Sequence, residues 1–462
     1  MSPSSPVAPV TACLIVNDDP HLPKTLACLA PHVAEIVVVY TGQDASAFKK
    51  YELQKKWIGS AHAAPAGPVP GASPAGRPVG EEFALSSSPP AGGARRAGVS
   101  LLPHVNYNYL RWIFDHFTHA SRPDGTLFDF AAARNRSFAL ATQPWVLWAD
   151  SDDLIDGLEH LPEVIANLET ASEQSRRDGR ILRLCCPYEY AYDAEGRCIR
   201  LVVRERIVKN VKGAWKWKRP VHERLEAFEG ADCLDLYEPR LVWKHQGAPP
   251  GRSTSARNLK ILLDYVLRAS SANVDALTLF DLGREYQQAP DDPEGGGVPE
   301  AVECFEKYLQ IAKTGEERAA ACLHLSELWW RREAPTMQQK GLTETLAWTS
   351  RAVREAGRFE DWYAYAKIQW VQAIVYQVPA MYELARRTAE RALSVPTEGR
   401  YDSNPRDRTV GIVELLADCK EQSRTEILVE HGGLTAKLTR RRGEAKTPQA
   451  GAASPAGRLV RG

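Results

Sequence analysis

The sequence predicts an α/β unit with a parallel sheet, followed by an all-α unit. Three observations carry this. Two β-rich runs near the N-terminus flank a short helical stretch. A third apolar run, Trp145-Val-Leu-Trp148, ends in a cluster of carboxylates. From about Ser255 onward, apolar residues recur with a helical period almost throughout.

The elements follow in order. Thr11 to Val16 is β-rich, Pro20 to Leu29 reads as a helix, and Glu35 to Tyr40 is a buried strand. β–α–β at such short spacing opens a parallel sheet. From 60 to 100, 30 of 41 residues are Ala, Gly, Pro or Ser. That composition cannot bury enough surface to fold, so a flexible insert is expected. It interrupts the first unit rather than ending it, because Phe130 to Ala141 is helical and Trp145 to Trp148 is again a strand. A long surface loop adds little closure entropy. Ile181–Cys186, Arg200–Val208 and Leu241–Trp243 are further β-rich runs. The expected units are 8–252, with the insert at about 60–103, then a helical unit at 255–425. A basic tail at 433–462 is expected to be disordered.

The chain has 462 residues, with 58 Lys+Arg against 58 Asp+Glu. A zero balance gives no global case for nucleic acid or an acidic membrane surface. The nine cysteines form no CxxC pair, which argues against a zinc knuckle or a redox motif. Their odd number and scatter suit a reducing compartment. No signal peptide is read at the N-terminus, and the apolar runs are strand-sized, with no membrane span. The expected location is cytoplasmic.

The most informative segment is Trp145-Val-Leu-Trp-Ala-Asp-Ser-Asp-Asp153. Ligands in open α/β sheets sit at the carboxyl ends of strands. Asp150 and Asp152 there can share a divalent cation and a nucleotide's ribose, since Mg²⁺ and Mn²⁺ prefer oxygen ligands. An aspartyl-phosphatase nucleophile would need Thr or Ser soon after the second Asp. Here Asp153-Leu-Ile follows, so that reading is set aside.

Upstream lie Cys13-Leu-Ile-Val-Asn-Asp-Asp-Pro-His-Leu-Pro23, Ile36-Val-Val-Val-Tyr-Thr-Gly42 and Phe128-Asp-Phe-Ala-Ala-Ala-Arg-Asn135. In this order the segments resemble the family 2 glycosyltransferases, which have the GT-A fold. They look most like the bacterial branch with C-terminal tetratricopeptide repeats. The resemblance covers 11–58 and 104–260. It implies a nucleotide-sugar donor, a UDP-sugar, and Mn²⁺ or Mg²⁺ as cofactor. It implies that Asp152 holds the metal and Asp150 the ribose or the metal. Asp129, Arg134 and Asn135 match the family's "DFAAARN". An arginine suits a diphosphate because its planar fork fits phosphate geometry; the competing reading is that Arg134 pairs with Asp129 and pins the helix. Asp19, Tyr40, Thr41 and Asp44 fall on the donor side. The sequence departs from the family at Asn17-Asp18-Asp19 and at Tyr40, which stands where the family usually has aspartate. A base stacked on Tyr40 is one consequence.

Arg204 to Glu223 interleaves cations with aromatics, as in Trp215-Lys-Trp-Lys-Arg219. Such a run can bind single-stranded nucleic acid, form a sugar platform or be an ordinary amphipathic strand. The resemblance favours the last two and matches Arg206, Asn210, Trp217, His222 and Glu223. An inverting transfer needs a general base on the acceptor hydroxyl. Glu223 is that candidate, with Glu189 in reserve, and Trp217 and His222 beside it on the acceptor side. His245, in Trp243-Lys-His-Gln-Gly247, matches the family's "HyG" element and is the candidate third metal ligand; His222 is the alternative. A single displacement is implied.

In the helical half, Leu279-Phe-Asp-Leu-Gly-Arg-Glu-Tyr286 fits a first-helix repeat signature, and Ala301, Phe305 and Tyr308 fit the second helix. Ala347 is taken as the next match, and Ala385, Ala389 and Ala392 as the last. The array reads as degenerate tetratricopeptide-like repeats that hold an acceptor protein or mediate a homodimer. Protein, glycan, small molecule and hydroxylated nucleic-acid bases are all compatible acceptors. The competing class is a non-catalytic scaffold built on a degenerate transferase domain.

Overall fold

The computed structural model describes residues 7–17, 19–43, 110–122, 126–229, 231–246, 254–268, 275–288, 297–333, 339–396 and 404–423, with two short strand pieces beyond. The insert expected at 60–103 lies outside the described residues, as does Asp44.

The first unit is built on a nine-stranded mixed sheet. Strands β1 (Ala8–Val16), β2 (Val33–Tyr40), β3 (Arg111–His116) and β4 (Trp145–Asp150) are parallel and ordered β3-β2-β1-β4. This is the Rossmann-like arrangement. The order reverses beside β1, so the carboxyl ends of β1 and β4 flank a crevice. Both faces of β1, β2 and β4 are buried, which is why they read as continuous apolar runs rather than alternating ones. Alternate residues enter two separate cores. Leu14, Val16, Ile36 and Val38 pack to one side, and Cys13, Ile15, Val37 and Val39 to the other.

Helices cover both faces. α1 (Leu22–Leu29) seats Leu22, Leu26 and Leu29 on the first core. α2 (Phe130–Leu140) lays Ala131 and Ala133 on the second, its small side chains allowing close approach. After β5 (Asp153–Asp156), α3 (Leu161–Arg177) adds Leu161, Val164, Ile165 and Leu168 to the first core.

The sheet continues through β7 (Cys198–Lys209), antiparallel to both β4 and β6 (Arg180–Tyr192). β10 (Asp232–Tyr237) and β11 (Val242–His245) pair with β6, and β11 also pairs with β5, setting His245 opposite Asp153. β8 (Trp215–Lys218) and β9 (Arg224–Ala227) form a separate hairpin. In β8 the period of two sends Trp217 inward, 1% exposed, and Lys216 and Lys218 outward. The expected acceptor-side role of Trp217 is therefore corrected: a side chain this buried is core, not platform.

The second unit is helical: α4 (Ser255–Arg268), α5 (Ala276–Gln288), α6 (Val298–Ile311), α7 (Gly315–Glu333), α8 (Gln339–Glu355), α9 (Phe359–Tyr376), α10 (Pro379–Leu393) and α11 (Ile412–Ser423). A Cβ on Gly283 would meet the Phe305 ring at 2.9 Å, so α5 and α6 touch where only glycine fits. The middle match in the helical half is corrected. Ala347 is exposed, and Thr345, Thr349 and Ala352 are buried in its place. They keep the spacing of Ala301, Phe305 and Tyr308 and of Ala385, Ala389 and Ala392. In the expected disordered tail, the backbone at Lys437–Leu438 instead pairs with Ile427–Leu428. Among the described residues, no helix is long and apolar enough to cross a membrane.

The two units meet at the loop after β8. Val221 packs with Ile261, Leu262 and Leu282, and Phe128 and Phe130 flank the contact. Arg219 Nη1 donates to Asp281 Oδ2 at 3.2 Å, and His222 Nε2 lies 2.6 Å from Glu285 Oε1. Arg219 and His222 hold φ of 71° and 52°, left-handed conformations that non-glycine residues adopt at a cost.

Candidate functional site

The carboxylates gather where β4 gives way to β5. Asp150 closes β4, Ser151 and Asp152 form the turn, and Asp153 opens β5. Asp153 is fully buried. It accepts from the Asp150 backbone N–H and from the Tyr188 hydroxyl, both at 3.0 Å. Arg206 Nη1 lies 3.6 Å from it. The Arg206 guanidinium is stacked near Trp148 at 3.9 Å and Tyr188 at 4.3 Å, which hold a fully buried cation by their ring faces. Burial pushes the Asp153 carboxyl up, more than Arg206 and its hydrogen bonds bring it down.

His245 completes a cluster here. Its Nδ1 lies 3.5 Å from Asp152 Oδ2 and 3.9 Å from Asp153 Oδ1. One ligand atom from each of the three residues falls within 4.8 Å of the others. His245 Nδ1 is buried with no hydrogen-bond partner, and its ring stacks on Tyr190 with centroids 5.1 Å apart. Burial alone would lower its pKa; contact with Asp152 and Asp153 outweighs that and pushes it up to about 11. Two carboxylates around an orphaned imidazole nitrogen fit a divalent cation such as Mn²⁺ or Mg²⁺. Asp150, expected to hold the ribose or the metal, lies outside this cluster, and Asp153 lies within it. The sequence showed Asp153 only as a third acid. What brings it into the cluster is its register opposite His245, which comes from the β5–β11 pairing.

Asp150 turns instead toward Arg134. Arg134 Nη2 donates to Asp150 Oδ1 at 2.6 Å, and Arg134 Nε donates to Glu223 Oε1 at 2.6 Å. The Arg134 side chain is 5% exposed, with Trp148 at 4.4 Å and Trp217 at 5.0 Å from its guanidinium. Burial raises Asp150, but Arg134 and Arg206 hold it below the usual carboxylate range. Trp217, edge-on to Trp148, is a wall of this arginine pocket. The expected Arg134–Asp129 pair does not form. Asp129 is the N-cap of α2 and accepts from Ala132 N at 2.8 Å, satisfying one of the orphan donors there. Asn135, expected at the nucleotide, is a fastener: it donates to Trp217 O and accepts from Trp217 N, both at 2.9 Å.

The other expected donor-side residues divide. Asp19 stands beside the Ser151–Asp152 turn and accepts from Ser151 Oγ at 2.6 Å. Thr41 is buried, its hydroxyl donating to Val16 O at 3.1 Å. Tyr40 is 0% exposed and belongs to the first core, so its ring has no free face for a base. On the acceptor side, Glu189 accepts from Tyr192 at 2.9 Å, and His222 is committed to Glu285 in the helical unit. That contact occupies Nε2, and His222 is not part of the Asp152–Asp153–His245 cluster. Glu223, its neighbour, faces a cleft of about 1520 Å³ between the units. Tyr188, Tyr190 and Glu223 line one side, and Arg284, Glu327 and Lys367 the other.

No known family pattern matches the chain. No curated protein matches it either. Among solved structures it is similar to TarS of S. aureus, at 12% identity and a TM-score of 0.33, covering 70% of this chain and 52% of that one. The chain thus spans about half the length of that structure. The TarS 1–349 fragment in complex with UDP-GlcNAc is 11% identical, with a TM-score of 0.32, over 75% of this chain and 92% of that one. The same fragment in complex with UDP is 10% identical, with a TM-score of 0.29, over 75% and 88%.

Proposed function

We propose that the protein is a metal-dependent, inverting glycosyltransferase of GT-A type that moves a sugar from a UDP-sugar to a hydroxyl acceptor. The observation that carries this reading is the Asp152–Asp153–His245 cluster at the switch point of the sheet, with Glu223 joined through Arg134 to Asp150 at the start of the same turn. A cation held by those three residues would offset charge developing on the leaving diphosphate. Asp150 and Asp19 border the same turn and are the carboxylates offered to the ribose. Glu223 accepts the acceptor's proton while the hydroxyl attacks the anomeric carbon from the face opposite the diphosphate. The products are the glycoside of anomeric configuration opposite to the donor's and the nucleoside diphosphate. A single displacement needs no covalent intermediate.

The cleft exceeds the ordinary size of a small-ligand pocket. The acceptor in this reading is a segment of protein or glycan that lies between the units. Acidic Glu226, Glu229 and Glu327 share the lining with its cations, which disfavours a polyanion such as nucleic acid. The helical unit is read as a tetratricopeptide-like array, supported by its recurring buried triplets.

The test is Mn²⁺-dependent release of nucleoside diphosphate from a panel of nucleotide sugars. Release with at least one donor, lost on chelation, is expected. No turnover, together with no shift in melting temperature for any nucleotide plus metal, would sink the enzyme reading and leave the scaffold.

A further inference from the structure

Arg134 contacts two carboxylates with different tasks in the proposed reaction. Its Nε–H serves Glu223 and its Nη2–H serves Asp150, each at 2.6 Å. One edge of the guanidinium fork, of the kind that grips a phosphate bidentately, is thus divided between two side chains. Its neighbours include the Trp148 and Trp217 rings, and the side chain is 5% exposed. Its helix is fixed at both ends of this segment: Asp129 caps the start, and Asn135 binds both backbone groups of Trp217. Little of the residue is free to meet a ligand, and little of its surroundings is free to move.

We propose that Arg134 is a positioning residue that ties the donor-side carboxylate Asp150 to the acceptor-side base Glu223, rather than a ligand of the donor's diphosphate. This rests on the functional reading above. A shift of Asp150 toward a bound ribose draws on the same guanidinium that aims Glu223. The two half-sites are therefore coupled through one side chain, across the junction of β4, α2 and the loop before β9.

Two measurements test it. The first needs no ligand: a double-mutant cycle on thermal unfolding with Asp150→Asn, Glu223→Gln and both together. With a shared partner, the double variant should depart from the sum of the singles by about 2 °C or more. In an Arg134→Met background, or Arg134→Lys if the former does not fold, the same pair should become additive. Additivity with Arg134 intact would overturn the proposal. The second measurement is calorimetric binding of UDP with Mn²⁺, alongside UDP-sugar turnover. Arg134→Lys should keep UDP affinity within about threefold and lower turnover by about 100-fold at unchanged KM. A tenfold or larger loss of UDP affinity would make Arg134 a diphosphate ligand and overturn the proposal. If the wild-type protein neither binds UDP nor turns over any donor while the cycle remains non-additive, the tie is upheld and the glycosyl-transfer reading falls instead.

Discussion

At the carboxyl edge of the sheet, burial would raise both Asp150 and Glu205, yet neighbouring arginines, Arg134 and Arg204 foremost, hold both below the ordinary carboxylate range. Across the cleft, burial prevails. It raises Glu327 and Asp407 despite Arg331 and Lys367, and it lowers Lys367 itself. The Lys367 ammonium lies 4.8 Å from the centre of the Tyr363 ring, and no carboxylate among the described residues pairs with it. Asp153 apart, whose carboxyl burial raises, the sheet edge thus fixes its carboxylate charges before any ligand arrives. The helical wall keeps charges that a bound partner or a change of pH can alter.

The contrast can be broken most severely at the metal turn. Asp152→Asn or His245→Ala should weaken Mn²⁺-dependent UDP binding by roughly 100-fold, as removal of a ligand from a three-residue set implies; calorimetry reads it. Unchanged affinity would make the edge merely structural. Next, Glu223→Gln should spare UDP binding and lower transfer by about 10²–10⁴-fold, the usual share of a general base.

Stability sharpens the same contrast. Arg206→Met leaves Asp153 buried without its cation and should cost about 3–5 kcal/mol in urea unfolding. Lys367→Met removes a charge that burial already disfavours and should change stability by less than about 1 kcal/mol. Equal losses would erase the difference between the two walls. Gly283→Ala should cost about 1–3 kcal/mol by overpacking against Phe305.

The smallest effect is with pH. Asp150 and Glu205 have lowered folded values, so the stability they contribute is present at neutral pH and lost only as pH falls below about 4. Glu327, Glu360 and Asp407 have raised values, so their contribution is full in acid and lost as pH rises through those values. As pH falls from neutrality toward the ordinary carboxylate range, intrinsic-rate-corrected hydrogen exchange should slow in α7 and α9 relative to β7.

The sequence made the edge strand legible because an apolar run ending in acids has few other uses. It made β1, β2 and α2 legible for a similar reason, since doubly buried strands and capped helices announce themselves locally. β3 passed unseen because Arg-Trp-Ile-Phe-Asp-His is a sheet-edge strand, only partly buried, with no strong pattern. Trp217 reads as an acceptor-side residue because it sits between lysines, although strict alternation points it inward. Ala347 was misplaced because a small side chain looks alike on either face of a helix. Asp153 and Arg206 could not be found by spacing at all. Their meeting depends on β5, β7 and β11 converging in space.

The left-handed loop at Arg219 and His222 has a practical consequence for anyone who would rebuild this molecule. It presses into α5 through Asp281 and Glu285, and the next residue is Glu223. The seam between the halves is therefore one residue from the proposed base. A chimera that exchanges the helical array for a foreign one must carry Asp281 and Glu285 with it, or graft their equivalents. Otherwise the new joint will disturb the backbone that sets Glu223.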